Sequence, residues 1–335
     1  MNESHPLLSH QVDVVRKLAL RFRKITVLTA EGSSSQLPDN VVVIDLSWRP
    51  GKPLHNSLNF LTKLNKVLKR DRPDVVFSHM TEVQSSLASP LLRIKAIPHY
   101  LWYAHKSKSK YLIFSNLFVD KILTSTSGSC PMTGPKIHAI GQAIDFDYFY
   151  RKPTDIPNRN KWVHVGRSDP SKGIATILET FSQVRDGKDN LSLSFIGNAS
   201  TIEFNNELSL LKEQYVDELK NGTVKFLESI PRNVIPSTLS KYDLFIHAYN
   251  GSLDKSILEA VVSGLPVATV NQEFLKQFGS WSGKPEPTLL DELTACLNKD
   301  SQDITLTVMD QQKIVRDSHS LDNWILKLSQ ILNES

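Results

Sequence analysis

Two short segments in the second half of this 335-residue chain carry residue types suited to a doubly phosphorylated ligand. In GRSDPSKG (166–173), Arg167 and Lys172 stand five residues apart across a turn bounded by Gly166 and Gly173. A guanidinium offers a bidentate fork to phosphate oxygens, and an ammonium offers a mobile point charge. In NGSLDKSILEAVVSGLPV (250–267), a loop at 249–253 leads into a helix that starts near Asp254 and carries Glu259 on its second turn. Unpaired amides at a helix N-terminus, and the positive end of the helix dipole, favour an anion. Glu259 would repel a phosphate, but its carboxylate suits a bidentate hydrogen bond to a ribose diol. Taken singly, basic residues at a turn are ordinary surface charge and a helix glutamate is an ordinary solvent-facing residue. The two segments together favour a ligand.

Such segments need parallel strands to bring them side by side, and the apolar pattern supplies these. Strands are expected at 24–29, 41–46, 74–79, 99–104, 121–126 and 136–141, then at 162–166, 191–197, 223–228, 244–248 and 266–270. Amphipathic helices alternate with them. One apolar stripe is Val12, Val15, Leu18, Ala19 and Phe22; another is Leu58, Leu61, Leu64, Val67 and Leu68. On that second helix Lys63, Lys66 and Arg70 form a basic ridge. A third stripe, Ile174, Ile177, Leu178, Phe181 and Val184, follows the GRSDPSKG turn, and Leu321, Trp324, Ile325, Leu328 and Ile331 line the last helix. β-Branched runs separated by such helices imply parallel sheets covered on both faces. The polar stretch RKPTDIPNRNK (151–161) reads as a linker, after which the pattern restarts. Two doubly wound α/β domains facing across a cleft follow: 1–152, then 153–315, with a C-terminal helix at 316–335 packing across them. Ligands in such sheets bind beyond the carboxyl ends of the strands.

Composition narrows the class. Charged content of 22% with 40% hydrophobic residues indicates a soluble globular chain. The apolar run at 111–119 is too short to span a bilayer, and no signal-peptide pattern opens the sequence. Cys130 and Cys296 form neither a disulfide framework nor a metal-ligand spacing, so a cytoplasmic setting is expected. Residues 1–153 hold 21 Lys and Arg against 11 Asp and Glu, a net of +10, and the remainder has a net of −6. The basic half suits a phosphorylated acceptor or an anionic membrane surface, or is a solvated face. Nucleic acid is disfavoured, because aromatic residues are not interleaved with the basic ones. The run KSKSK (106–110) either steers a pyrophosphate-linked lipid or anionic headgroups, or is a solvated loop.

GRSDPSKG, FLESIP (226–231), KYDLFIHAY (241–249) and LDKSILEAVVSGLPVAT (253–269) resemble, in order and spacing, the C-terminal domain of family 4 (group 1) glycosyltransferases, in a branch with a GSLDK-type loop. YLWYAHK, VDKILTSTSGS and IHAIGQAIDFDYF resemble the N-terminal half more loosely. The resemblance implies a GT-B fold of two Rossmann-like domains and retaining transfer of a sugar from a nucleotide-diphosphate donor. It implies that Arg167 and Lys172 hold the diphosphate and, with His105 near the reacting carbon, form the catalytic set. Gly166, Ile230, Ser252, Leu253, Asp254, Lys255 and Glu259 would bind the donor, Glu259 at the ribose and the backbone at Ile230 at the base. A glycan or polyprenyl-linked acceptor at the inner face of the plasma membrane, in bacterial surface polysaccharide synthesis, fits the family habit and the basic charge. Asp145 and Asp147 spell a DxD, expected here as a structural turn, with no obligatory metal and no cofactor. His79 at a strand end is equally a core residue or an acceptor-side one.

The chain departs from the family in two places. The first of two glutamates eight residues apart is replaced by Gly251, leaving Asp254 as the nearest alternative carboxylate. The opening MNESHPLLSHQ leads straight into a helix, so either the natural chain starts upstream or the N-terminal domain is built without its usual first strand. Both departures keep alternatives open: a non-catalytic nucleotide-binding or scaffold subunit, or a GT-B sugar-nucleotide epimerase.

Overall fold

The computed structural model describes residues 10–32, 37–153, 159–185 and 190–334. Most of the opening MNESHPLLSHQ, at 1–9, and the middle of the expected linker, at 154–158, lie outside the described residues. The chain divides into two compact units, with changes at Ala143/Ile144 and Ser320/Leu321.

The first unit runs α1 (His10–Ala19), β1 (Ile25–Thr29), β2 (Val41–Asp45), α2 (Pro53–Arg70), β3 (Val76–His79), α3 (Glu82–Ile94), β4 (His99–Trp102), α4 (Lys110–Phe118), β5 (Lys121–Thr124) and β6 (Ile137–Ala139). All its strand pairs are parallel, but they form two sheets, β1-β2 and β3-β4-β5-β6. Strands β1 and β3 still share packing layers. Ile25 and Phe77 pack in one apolar cluster with α1, and Leu28 and Val76 in another with α2 and α3. Among the described residues no ladder joins them. Their burial fits an unpaired edge: β4 is buried along its length, whereas β1 and β3 are only half-buried.

Helix α2 corrects one expected stripe. Its buried face is Phe60, Leu64, Val67 and Leu68, and Leu58 is 67% exposed. The reason lies in its first turn. Buried Asn56 accepts from the Arg49 amide at 3.0 Å and donates to the Arg49 carbonyl at 2.8 Å, which rotates Phe60 toward the sheet in place of Leu58.

The second unit contains α5 (Phe146–Phe149), β7 (Lys161–Val165), α6 (Ile174–Arg185), β8 (Ser192–Ile196), α7 (Ile202–Glu213), α8 (Val216–Lys220), β9 (Val224–Leu227), α9 (Ile235–Leu239), β10 (Leu244–His247), α10 (Lys255–Val262), β11 (Val267–Thr269), α11 (Gln272–Phe278), α12 (Leu289–Asn298) and α13 (Ser301–Ile314). Its five strands are parallel in the order β11-β10-β7-β8-β9. The segments at 166–173 and 250–267 leave the sheet at the carboxyl ends of its neighbours β7 and β10. Helix α10 is apolar almost all round, and Ile257, Leu258, Ala260, Val261 and Val262 are fully buried. A helix of that kind belongs inside a core, which fixes its N-terminus against the sheet.

The last helix, α14 (Leu321–Asn333), has its apolar face in the core of the first unit. Trp324 meets Trp102 edge-on at 5.3 Å and Phe77 at 6.2 Å.

Candidate functional site

The turn after β7 and the loop after β10 touch through a glycine. Gly173 has φ +71, and a Cβ there would lie 2.6 Å from Cβ of Ala248. Only glycine permits both that backbone and that approach. Beside this contact, the Lys172 ammonium pairs with the Asp254 carboxylate and lies 4.1 Å from the centre of the Tyr249 ring. The structure therefore brings Gly166, Lys172, Ser252, Leu253, Asp254 and Lys255 to one end of one sheet. Arg167 belongs to the same turn but is 47% exposed, with its guanidinium 3.2 Å from Asp169. Asp169 is buried and accepts from the amide and hydroxyl of Ser200 at 2.8 and 2.9 Å, which ties the turn to the end of β8.

Beneath this pair sit two buried imidazoles. Nε2 of His247 is 3.6 Å from Asp254, and Nδ1 is 3.0 Å from the Thr269 hydroxyl. His164, stacked on His247 at 5.9 Å, bonds the Ile246 carbonyl through Nδ1 at 3.0 Å. Burial, aided by the neighbouring His247, pushes the His164 imidazole down to about 3, so it is neutral. Burial acts on Asp254 in the opposite sense, but the Lys172 ammonium and the His247 imidazole outweigh it. The carboxyl is held well below the usual carboxylate range, so Asp254 is charged. It stands at the N-cap of α10 yet makes no capping bond, because its carboxylate turns to Lys172. The amides of the first turn are left without a side-chain cap.

Glu259, expected at a ribose, is buried and paired. Oε1 accepts from Arg232 at 2.7 Å, and that guanidinium lies 5.0 Å from the centre of the Phe149 ring. Among the described residues Oε2 has no hydrogen-bond partner. Burial, then Arg232, push the Lys255 ammonium down to about 8, against the opposing effect of the Glu259 carboxylate one turn on. Ile230, half-buried, packs against the α10 core. Nearby, Asn198 and Ser229 exchange hydrogen bonds at 3.1 and 3.2 Å, linking the ends of β8 and β9. A cavity of about 660 Å³ opens there, lined among others by Gly197, Ser200, Lys212, Phe226 and Glu228.

Gly251 has a physical explanation. It is buried, and a Cβ there would fall 1.9 Å from Cζ and Oη of Tyr249. The Tyr249 ring fills the space a glutamate would need, and Asp254 is committed to Lys172. Arg232, Asp169, His247 and Asn271 were not singled out in the sequence. Buried Asn271 donates to the carbonyls of Tyr249 and Ser252 at 2.9 and 3.1 Å while capping α11, so it sets the loop. Its one sequence signal is that cap position.

His105 lies in the first unit, after β4. It is exposed, and its Nδ1 accepts from the Ser107 amide at 3.0 Å. His79 stacks on Trp102 at 6.1 Å in the same unit. Asp145 precedes the short helix α5, whose Phe146 and Phe149 are buried.

Comparison with known proteins gives the class of these two parallel α/β units. Residues 148–278 match the family model described as glycosyl transferases group 1. No curated protein matches the sequence. Anabaena HepE, solved with UDP, is 15% identical over 99% of this chain and 98% of its own, with a TM-score of 0.76. The same protein solved with UDP-glucose gives 16% identity, 100% and 98% coverage and a TM-score of 0.75. Sucrose-phosphate synthase from Thermosynechococcus elongatus gives 13% identity, 96% and 91% coverage and a TM-score of 0.74. At such identities the likeness establishes the fold, two Rossmann-like units of the GT-B kind.

Proposed function

We propose that this protein is a retaining glycosyltransferase that takes a hexose from a nucleotide-diphosphate sugar and passes it to a glycan or polyprenyl-linked acceptor. The observation that carries this reading is the Lys172–Asp254 pair at the meeting of the two segments, beside the uncapped first turn of α10. An ammonium has three N–H donors, so Lys172 can keep Asp254 and still meet a phosphate oxygen. In this reading Lys172, Arg167 and the amides of Ser252, Leu253, Asp254 and Lys255 stabilise the charge that grows on the departing diphosphate. Such fixed electrostatic groups are ordinarily the largest contribution to catalysis. The second oxygen of Glu259 takes the ribose diol, with Arg232 fixing its orientation. The backbone at Ile230 meets the base, and His105 faces the transferred sugar. The match of 148–278 to group 1 glycosyl transferases and the UDP-glucose bound by HepE support the donor class. Surface polysaccharide synthesis at the inner face of the membrane is the setting we assign.

The test is release of nucleotide from a panel of nucleotide-diphosphate sugars incubated with bacterial lipid extract. Acceptor-dependent release from one donor, with the anomeric configuration kept in the product, is the expected result. Tight binding with no release across the panel would instead support a non-catalytic subunit.

A further inference from the structure

Helix α4 turns an apolar face outward. Tyr111, Ile113, Phe114 and Leu117 are 38%, 44%, 44% and 67% exposed, while the side chains facing inward are Leu112 and Ser115. Lys110, Ile113, Phe114 and Leu117 recur at i, i+3, i+4 and i+7, the spacing of one helix face. That spacing ordinarily marks a core stripe; here it points to solvent. The helix is also firmly held. Ser109 caps its first turn, accepting from the Leu112 amide at 3.1 Å, and the Lys136 ammonium donates to the carbonyls of Asn116 and Val119 at 2.9 and 2.8 Å.

The chain that leads into this face is basic. Between Glu82 and Asp120 the chain holds no acidic residue and five basic ones, Arg93, Lys95, Lys106, Lys108 and Lys110. Lys106, Lys108 and Lys110 are exposed and lead directly into the helix. At its other end Arg93 reaches Asp120 at 3.8 Å, which places the exposed end of α3, with Ile94 83% exposed and Lys95 beside it, next to the end of α4. A contiguous exposed apolar face marks an interaction site. With a basic surround it suits a bilayer carrying anionic lipid, where rings and aliphatic groups enter the headgroup boundary and ammonium groups meet phosphates.

We propose that α4 is a membrane-docking element, which seats the first unit on an anionic lipid surface through Ile113, Phe114 and Leu117 with Lys106, Lys108 and Lys110 around them. This deepens the membrane setting assigned above and is independent of the donor site.

Flotation with phosphatidylcholine vesicles, with and without phosphatidylglycerol, tests it. The wild-type protein is expected to float with the phosphatidylglycerol vesicles alone. Each lysine near an anionic surface is worth roughly five-fold in partitioning, so Lys106→Gln/Lys108→Gln/Lys110→Gln should weaken binding about 100-fold. Phe114→Glu/Leu117→Glu should abolish it, with the melting temperature and UDP affinity of both variants unchanged. Wild-type protein that ignores anionic vesicles, or variants that float as well as wild type, would overturn the proposal. So would a solution dimer that Leu117→Glu dissociates without any vesicle binding, since a second copy would then cover the face. Loss of UDP binding in the wild type would count against the donor reading and leave this one standing.

Discussion

Replacing Asp254 by Asn probes the pairing at the centre of the second unit. The substitution keeps shape and removes one negative charge, leaving the Lys172 ammonium, 12% exposed, beside a neutral amide. Breaking a fully buried pair costs about 3–5 kcal/mol, and an exposed pair is worth about 0–1 kcal/mol. Lys172 is nearly buried and Asp254 is 25% exposed, so a cost of about 2 kcal/mol is expected. For a domain of this size that lowers the melting temperature by about 4–8 °C. UDP should then act differently on the two proteins. Its diphosphate supplies the negative charge that the substitution removes, so UDP should raise the melting temperature of Asp254→Asn by more than that of wild type. Acid provides a second readout. The folded carboxyl titrates below its unfolded value near 3.8, so its contribution is complete above that value and is lost as pH falls through the folded one. Wild type and variant should therefore converge on strong acidification. Thermal melts with and without UDP decide the matter: equal melting temperatures near neutral pH, or a smaller UDP effect on the variant, would refute the pairing argument.

Arg232→Ala strands the Glu259 carboxylate and should cost about 3 kcal/mol; by calorimetry it should also weaken UDP more than a 2′,3′-dideoxy analogue. Gly251→Ala drives a Cβ into the Tyr249 ring and should cost about 1–3 kcal/mol, a loss relieved in Gly251→Ala/Tyr249→Ala by thermal melts. His164 binds a proton near 6.5 when unfolded and near 3 when folded, so the second unit should lose stability as pH falls between those values. His164→Gln should flatten that slope in urea titrations across the range.

The strands were readable because most are short β-branched or aromatic runs, and each of the eleven expected runs overlaps one. The turn after β7 and the α10 loop were readable for a similar reason: glycine, charge and helix start lie within a few residues. What escaped depends on distant partners. Arg232 looks like an ordinary loop residue until folding sets it against Glu259, 27 positions away. Asn271 holds carbonyls 19 and 22 residues earlier, and Asp169 meets Ser200, 31 residues on. Leu58 misled because an apolar residue at helical spacing fits a stripe until Asn56 fixes the rotation. Gly251 read as a missing acid, and it became intelligible with the position of the Tyr249 ring.

Calorimetric titration of a panel of nucleoside diphosphates, UDP included, into wild type and into Arg167→Ala/Lys172→Ala reads the proposed anion site itself. Each charge-assisted contact is worth about 1.5–3 kcal/mol. Saturable one-site binding of at least one of them to wild type is expected, with a loss of at least about 100-fold in the double variant. A wild type that binds no nucleoside diphosphate, or a folded double variant that binds as tightly, would contradict it.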